Sequence, residues 1–173
     1  HKHKHITSIF QYDENIYYIG SEDGICRVII HDGKMVATEC IIPSKICELA
    51  QRIYVHPNSN RLMAYSDKNG MIVYDITLRK LEKQHIWFKD FPITGFNPFE
   101  EKYILIPTRG AGVYRYNLQE QTLEQYLHAQ HDKPNKMNGN NIRALFVDEC
   151  NRLWMSVYAR SVTIFDKALP QYT

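Results

Sequence analysis

Residues 52–76 read RIYV HPNSNR LMAYS DKNG MIVYDI, and this segment gives the clearest indication of the fold. Its short runs rich in Ile, Val, Met and Tyr are separated by polar segments that contain Asn, Asp, Ser, Pro and Gly. Apolar runs bounded by such residues are typical of β-strands joined by turns. Gly70 stands where the second turn needs a positive φ. The stretch therefore predicts three antiparallel strands connected by two tight turns.

The same layout occurs four times, at residues 6–30, 52–76, 93–118 and 142–167. One residue of each second turn marks the period, and successive marks lie 46, 42 and 49 positions apart. These residues are Gly24, Gly70, Gly112 and Ser161. A period of about 40–50 residues with several short strands per repeat is typical of β-propellers.

A propeller blade normally has a fourth, outer strand. Candidates follow the third run at residues 34–41, 81–87 and 122–127, and the last repeat has none. We therefore predict an all-β chain that forms a partial β-propeller of about four blade repeats of antiparallel strands, the last blade incomplete. The incomplete blade and the abrupt start predict a piece of a longer protein. The expected single domain is residues 1–173, with repeats at about 6–45, 46–90, 91–135 and 140–173.

The composition narrows the classes of function. With 44% hydrophobic and 23% charged residues, the chain has a globular composition. Its net charge of +2 comes from interspersed charges without a basic stripe, so we expect no nucleic acid to bind through this segment. No apolar run reaches the length of a membrane span. The cysteines, at positions 26, 40, 47 and 150, lack C-x-x-C spacing; free thiols are favoured, and a Cys40–Cys47 disulfide is the alternative.

The fourth repeat carries a family resemblance. It reads NNIRALFVD at residues 140–148, NRLWMS at 151–156 and VTIFD at 162–166. This resembles the two-component regulator propeller repeat, in which Asn-x-Ile, an apolar run, Asp and a turn precede Leu-Trp-Ile-Gly-Thr and an apolar-aromatic-Asp ending. The other repeats match less well, because Tyr18, Met63 and Leu105 stand near the Trp position.

The resemblance implies a segment of the periplasmic propeller of a gut-bacterial hybrid two-component histidine kinase, anchored in the inner membrane as a full-length protein. In that family the propellers contribute to sensing oligosaccharides. We therefore expect a non-catalytic ligand-sensing or scaffold segment that contacts neighbouring propeller blades of the full-length chain. Taken alone, with its terminal blade faces uncovered, it is expected to self-associate or to be a marginally stable monomer.

Two other functions compete with sensing. One is a protein–protein interaction propeller, although the Gly-His and Trp-Asp markers of the large intracellular class are missing. The other is a propeller sugar hydrolase or lyase, which would need converging acids or a metal. The adjacent carboxylates fall in predicted turns, where they are expected to be solvated; these pairs are Asp13–Glu14, Glu22–Asp23, Glu100–Glu101 and Asp148–Glu149. We expect no catalytic residue, no cofactor and no metal site.

The candidate ligand-binding residues lie in the loops between second and third strands, which cluster on one face of a propeller. Loops on a rigid scaffold often carry function, and Arg and Tyr suit bidentate and stacking contacts with a sugar or a protein. The candidates are Glu22, Asp23, Asp67, Arg109, Tyr158 and Arg160, with Lys68 beside them. Outside these loops, Asp148 is expected to bond the backbone amides of its turn. Trp154 is expected to pack in the core between blades, and stacking on a sugar is the alternative.

Overall fold

The computed structural model describes residues 5–129, 137, 139–158 and 162–166. The chain forms two compact units, divided between Asp90 and Phe91. We call them the N-terminal and the C-terminal unit. In the part of the chain that is described, each unit contains two antiparallel sheets, and the strands of every sheet are paired in sequence order.

The N-terminal unit contains sheets 1 and 2. Sheet 1 consists of β1 (Ile6–Gln11), β2 (Ile16–Ser21), β3 (Gly24–His31) and β4 (Lys34–Pro43). Sheet 2 consists of β5 (Arg52–Val55), β6 (Arg61–Ser66), β7 (Gly70–Asp75) and β8 (Lys80–His85). A short 3-10 helix, Ile86–Lys89, follows β8.

The C-terminal unit contains sheets 3 and 4. Sheet 3 consists of β9 (Asn97–Phe99), β10 (Tyr103–Pro107), β11 (Val113–Asn117) and β12 (Thr122–Leu127). Sheet 4 consists of β13 (Ile142–Val147), β14 (Leu153–Val157) and β15 (Val162–Phe165).

The structure confirms the all-β class and the predicted fourth strands. The candidates at residues 34–41 and 122–127 correspond to β4 and β12. The candidate at 81–87 corresponds to β8, except that its last residues enter the 3-10 helix. Among the described residues, no helix has the length and apolar character needed to cross a membrane. Whether all four repeats belong to one domain stays a prediction.

The outer strand explains why the second turn needs glycine. Gly24 and Gly112 have φ values of +112° and +77°. A Cβ on Gly24 would lie 2.1 Å from the carbonyl oxygen of Ile42 in β4, and one on Gly112 would lie 2.3 Å from that of Leu127 in β12. Backbone conformation and close approach of the fourth strand therefore both exclude a side chain.

The hydrophobic core of each unit lies between its two sheets. Strand residues alternate between the two faces of a sheet, so each strand turns one apolar set towards the neighbouring sheet. The N-terminal core includes Tyr18, Ile25, Ile42, Ile53, Leu62, Ala64 and Ile72, together with Cys47 and Ala50 from the connecting segment. The C-terminal core includes Phe99, Leu105, Val113, Leu145, Leu153, Met155 and Val157.

Candidate functional site

Buried hydroxyl groups shape the loops between second and third strands. Ser21 and Ser66 end second strands, Thr108 directly follows one, and all three are buried. Their hydroxyl oxygens accept hydrogen bonds from the loop amides of Asp23 (3.3 Å), Asn69 (3.1 Å) and Ala111 (3.1 Å), respectively. The loops that carry the candidate residues are therefore fixed turns on a rigid sheet end.

In the N-terminal unit, the segment connecting the two sheets, residues 44–51, contacts both candidate loops. The amide of Leu49 donates to the carbonyl oxygen of Ser21 at 3.0 Å. The amide of Glu48 donates to Oδ1 of Asn69 at 3.2 Å. The β2–β3 loop with Glu22 and Asp23 and the β6–β7 loop with Asp67 and Lys68 are thus joined through one connecting segment.

The charged groups of the β6–β7 loop are engaged within the unit. Oδ1 of Asp67 accepts the hydroxyl proton of Tyr65, and Oδ2 accepts from Nε2 of Gln51, both at 2.6 Å. Lys68 forms an ion pair with Glu48. Asp67 therefore holds the connecting segment in place, and its carboxylate has less capacity for a ligand than the sequence suggested. Glu22 and Asp23 are both exposed.

In the C-terminal unit, the two candidate loops also meet at a connecting segment. The carbonyl oxygen of Asn140 accepts from the amides of Gly110 (3.0 Å) and Gly112 (2.9 Å) in the β10–β11 loop. The carbonyl oxygen of the next residue, Asn141, accepts from the amide of Tyr158 at 2.9 Å. Arg109 is paired with Asn141 in an isolated antiparallel bridge. Arg109 and Tyr158 are therefore both anchored to Asn141.

The side chains around Asn141 form an exposed group of cations and an aromatic ring. Arg109 and Tyr158 are both exposed. The guanidinium carbon of Arg143 lies 4.4 Å from the ring centroid of Tyr158, which is cation–π geometry. The side chain of Asn140 is held by Ala129, whose amide donates to Oδ1 at 2.6 Å. This arrangement offers hydrogen-bond donors and a ring face to a ligand.

The structure thus groups the predicted residues by unit: Glu22, Asp23 and Asp67 in one, Arg109 and Tyr158 in the other. Arg160 lies outside the described residues. Sequence reasoning missed the residues that join the loops, among them Gln51, Glu48, Asn69, Asn140 and Arg143. For Asn140 a signal was present, because it opens the Asn-x-Ile pattern of the fourth repeat.

The structure confirms the expectation that Asp148 bonds the backbone amides of its turn. Its Oδ1 accepts from the amides of Cys150 and Arg152, both at 2.9 Å. Its Oδ2 accepts from Nε1 of Trp154 at 2.9 Å and from Nε of Arg152 at 2.7 Å. The indole hydrogen bond, followed by the bonds from Arg152 and Cys150, lowers the pKa of this carboxyl to about 2. A carboxylate with these four hydrogen bonds stabilises its turn and is a poor general acid.

No group of three metal-binding side chains occurs among the described residues.

Sheet 4 has an exposed apolar face. Phe146, Trp154 and Ile164 are cross-strand partners and therefore share one face, and Val162 lies on it as the partner of Ser156. All four large side chains are exposed. We call this surface, formed by Phe146, Trp154, Val162 and Ile164, the open face of sheet 4. Within the described residues Trp154 is not buried, because its indole lies on the open face and bonds Asp148; its packing between blades stays a prediction.

None of the four cysteines, which all lie within the described residues, forms a disulfide. Cys47 is fully buried in the N-terminal core, whereas Cys40 is exposed. The Cys40–Cys47 disulfide that the spacing left open is therefore not formed. Cys40 lies instead opposite Cys26 in sheet 1.

The fold is similar to several solved structures. The extracellular domain of BT4673 from B. thetaiotaomicron, assigned to a one-component or hybrid two-component system, matches 92% of this chain with a TM-score of 0.68 and 19% identity. The extracellular domain of the hybrid two-component system BT3049 from the same organism matches 95% of the chain, with a TM-score of 0.65 and 18% identity. The computationally designed protein Ika4 matches 95% of the chain and 92% of its own length, with a TM-score of 0.61 and 13% identity.

These likenesses concern the fold, since the identities are low. The chain spans 21% of the length of the BT4673 and BT3049 structures. No family model and no curated protein matches the chain. The resemblance to two-component regulators that the fourth repeat indicated is confirmed at the level of the fold.

Proposed function

We propose that this chain is a non-catalytic ligand-sensing or scaffold segment of the extracytoplasmic β-propeller of a hybrid two-component sensor kinase. One observation carries the proposal: the chain matches the extracellular domains of two proteins described as hybrid two-component systems over more than nine tenths of its length. The four sheets, each built in sequence order, are then consecutive blades. The NNIRALFVD and NRLWMS motifs of the fourth repeat support the same assignment.

The proposed location is the periplasm, with the full-length protein anchored in the inner membrane and acting as a histidine kinase. Its other blades would be the natural partners of this segment. Sequencing the coding region on both sides tests this assignment directly. We expect further repeats, a membrane span and a kinase in the same reading frame; a frame that lacks all three would overturn it.

The proposed ligand is an oligosaccharide. The exposed ring of Tyr158 and the guanidinium of Arg109, both anchored to Asn141, offer stacking and hydrogen bonding to a sugar. The exposed carboxylates of Glu22 and Asp23 offer acceptors for sugar hydroxyls in the other unit. Asp67 supports its loop through Gln51 and Tyr65.

Calorimetric titration of the chain with a panel of plant and host oligosaccharides tests the ligand class. For a sugar that binds, Arg109→Ala and Tyr158→Ala are each expected to weaken binding about tenfold, the loss of roughly one good hydrogen bond or stacking contact. Lys83→Ala, which removes an exposed cation from β8, and Tyr12→Ala, which removes an exposed ring from the N-terminal unit, are the matched controls. Binding that is unchanged in both site variants would contradict the proposed site, and a panel without any binder would contradict the ligand class.

A second candidate function is a protein–protein interaction scaffold. The observation that favours it is the open face of sheet 4, because contiguous exposed apolar surface commonly marks a contact with another protein. In the sensor this face would be covered by the next blade; in the isolated chain it would support a homo-oligomer. Sedimentation of the chain over a range of concentrations separates a monomer from an assembly.

A further inference from the structure

Two cysteines of sheet 1 lie opposite each other on adjacent antiparallel strands. Cys26 in β3 and Cys40 in β4 are direct partners in the strand ladder. Directly opposite residues point to the same face, with Cβ atoms about 4.5–5.5 Å apart. A disulfide joins Cβ atoms about 3.5–4.5 Å apart on Cα atoms about 4.4–6.8 Å apart. Only a small local adjustment therefore separates this pair from disulfide geometry.

The hairpin that carries the pair is held in register. Its turn is formed by Asp32 and Gly33, both with positive φ (48° and 71°), as in the tight turns that join adjacent antiparallel strands. On the rung next to the cysteines, Arg27 donates to Glu39 at 2.7 Å. On the other side the register shifts, and Ile41 has no partner on β3, so the ladder is interrupted at this point. The two cysteines are thus brought together by fixed neighbours, while the adjacent bulge leaves room for adjustment.

Accessibility separates this pair from the other cysteines. Cys40 is exposed and Cys26 is half-buried, so a small reagent in solution reaches at least one member of the pair. Cys47 is fully buried, and burial raises the pKa of its thiol to about 11, which keeps it protonated and unreactive at neutral pH. Cys150 is exposed in the turn after Asp148, in the other unit.

We propose that Cys26 and Cys40 form a redox-active pair that closes to a cross-strand disulfide when the chain meets a low-molecular-weight disulfide. The Cys40 thiolate attacks one sulfur of the small disulfide, forms a mixed disulfide and releases one small thiolate, which takes up a proton. The Cys26 thiolate, having lost its proton to solvent, then attacks the Cys40 sulfur and releases the second small thiolate, which is protonated in turn. Two protein thiols are oxidised by two electrons, and one small disulfide is reduced to two thiols. The bridge would join the outer strand of sheet 1 to its neighbour.

The test uses the full chain, first reduced and then equilibrated with mixtures of reduced and oxidised glutathione. Unreacted thiols are alkylated with N-ethylmaleimide under denaturing conditions, and the intact mass is measured. The fully reduced chain should carry four adducts, one for each cysteine. The oxidised chain should carry two fewer without any gain of glutathione, and digestion should yield the peptide pair that contains Cys26 and Cys40.

Variants locate the bridge. Cys26→Ser and Cys40→Ser should each lower the bridged fraction at least tenfold, and Cys26→Ser should accumulate Cys40 as a glutathione adduct. Cys150→Ser should leave the bridge unchanged. Cys40→Ser alters an exposed position, so its result does not depend on the packing around Cys26. A wild-type chain that retains four alkylated thiols in the oxidising mixture, or a bridge that passes through Cys150 of the same or another chain, would overturn the proposal.

Discussion

Sheets 2 and 4 carry the same row of apolar residues in opposite surroundings. In sheet 2 the row is Tyr54, Met63 and Val73, which are 9%, 0% and 0% exposed. In sheet 4 the corresponding row is Phe146, Trp154 and Ile164, which are 65%, 37% and 51% exposed. The opposite faces are alike, because Leu62 and Leu153, one residue earlier in their strands, are both fully buried.

Both faces of sheet 4 have the apolar residues of a buried surface, but only the face that contains Leu153 is buried. A strand with one solvated face normally alternates apolar and polar residues. Sheet 4 instead has aromatic and β-branched residues on its open face, as sheet 2 has on the corresponding buried face. The open face therefore has the apolar composition of a buried sheet face, which supports the proposal that a further blade covers it.

The largest effect is expected from placing a charge in each row. Met63→Asp should lower the free energy of unfolding by at least about 4 kcal/mol, because it buries a carboxylate without a partner in a fully packed position. Phe146→Asp should lower it by less than about 1 kcal/mol, since that side chain is solvated. Urea unfolding at low protein concentration measures both. Similar losses in the two variants would break the comparison between the sheets.

The next effect concerns self-association through the open face of sheet 4. Replacing Phe146 and Ile164 together by Ser should raise the dissociation constant of the self-associated chain about 100-fold, because two large apolar contacts are lost. Leu78→Ser removes an exposed apolar side chain in the N-terminal unit and is the matched control. Analytical ultracentrifugation measures the constants. A wild-type chain that stays monomeric at high concentration, or equal weakening by the control, would show that the open face does not drive assembly.

A smaller effect is expected where an outer strand closes over the second turn. Gly24→Ala should cost about 2–3 kcal/mol, because the residue has φ +112° and its Cβ would meet β4. Gly33→Ala should cost about 1 kcal/mol, since φ is also positive but no atom lies within 4 Å. The fourth repeat has Ser161 in the place of this glycine, outside the described residues. Thermal unfolding of both variants checks the order; equal costs would show that backbone conformation, and not the outer strand, selects glycine.

The strands and turns could be predicted because their signals are local. Alternating apolar runs, Asn- and Asp-rich turns and the glycine at the second turn of the first three repeats depend on neighbouring residues only. The bonds that join the loops could not be predicted, because Gln51 reaches Asp67, and Asn140 reaches Gly112, only after the sheets have packed. The pairing of the cysteines could not be predicted for the same reason.

Spacing suggested Cys40 and Cys47, but pairing depends on strand register. The shift between Ile25 and Cys26 places Cys40, and not Ile41, opposite Cys26. A bulge moves every later partner by one residue, and nothing in the local composition specifies where it falls. The exposure of Trp154 in this chain could not be predicted for a related reason: an apolar pattern shows that a face is suited to burial and does not show whether it is covered.

The smallest effect is a pH dependence confined to the first turn of sheet 4. The pKa of Asp148 is about 2 in the folded chain and 3.8 for an unperturbed aspartate, so its hydrogen bonds stabilise the fold above pH 3.8 and this stabilisation is lost as the pH falls towards 2. Asp148→Asn should therefore flatten the loss of stability between pH 4 and pH 2 and lower stability at neutral pH, where the charged acceptor is missing. Glu149→Gln, which removes the adjacent exposed carboxylate, is the control. Chemical unfolding across this pH range would contradict the role of Asp148 if wild type and Asp148→Asn lost stability in parallel. A parallel loss would also mean that the bond from Trp154 to Asp148 does not hold the indole at the edge of the open face, and the contrast between Met63 and Trp154 would then rest on packing alone.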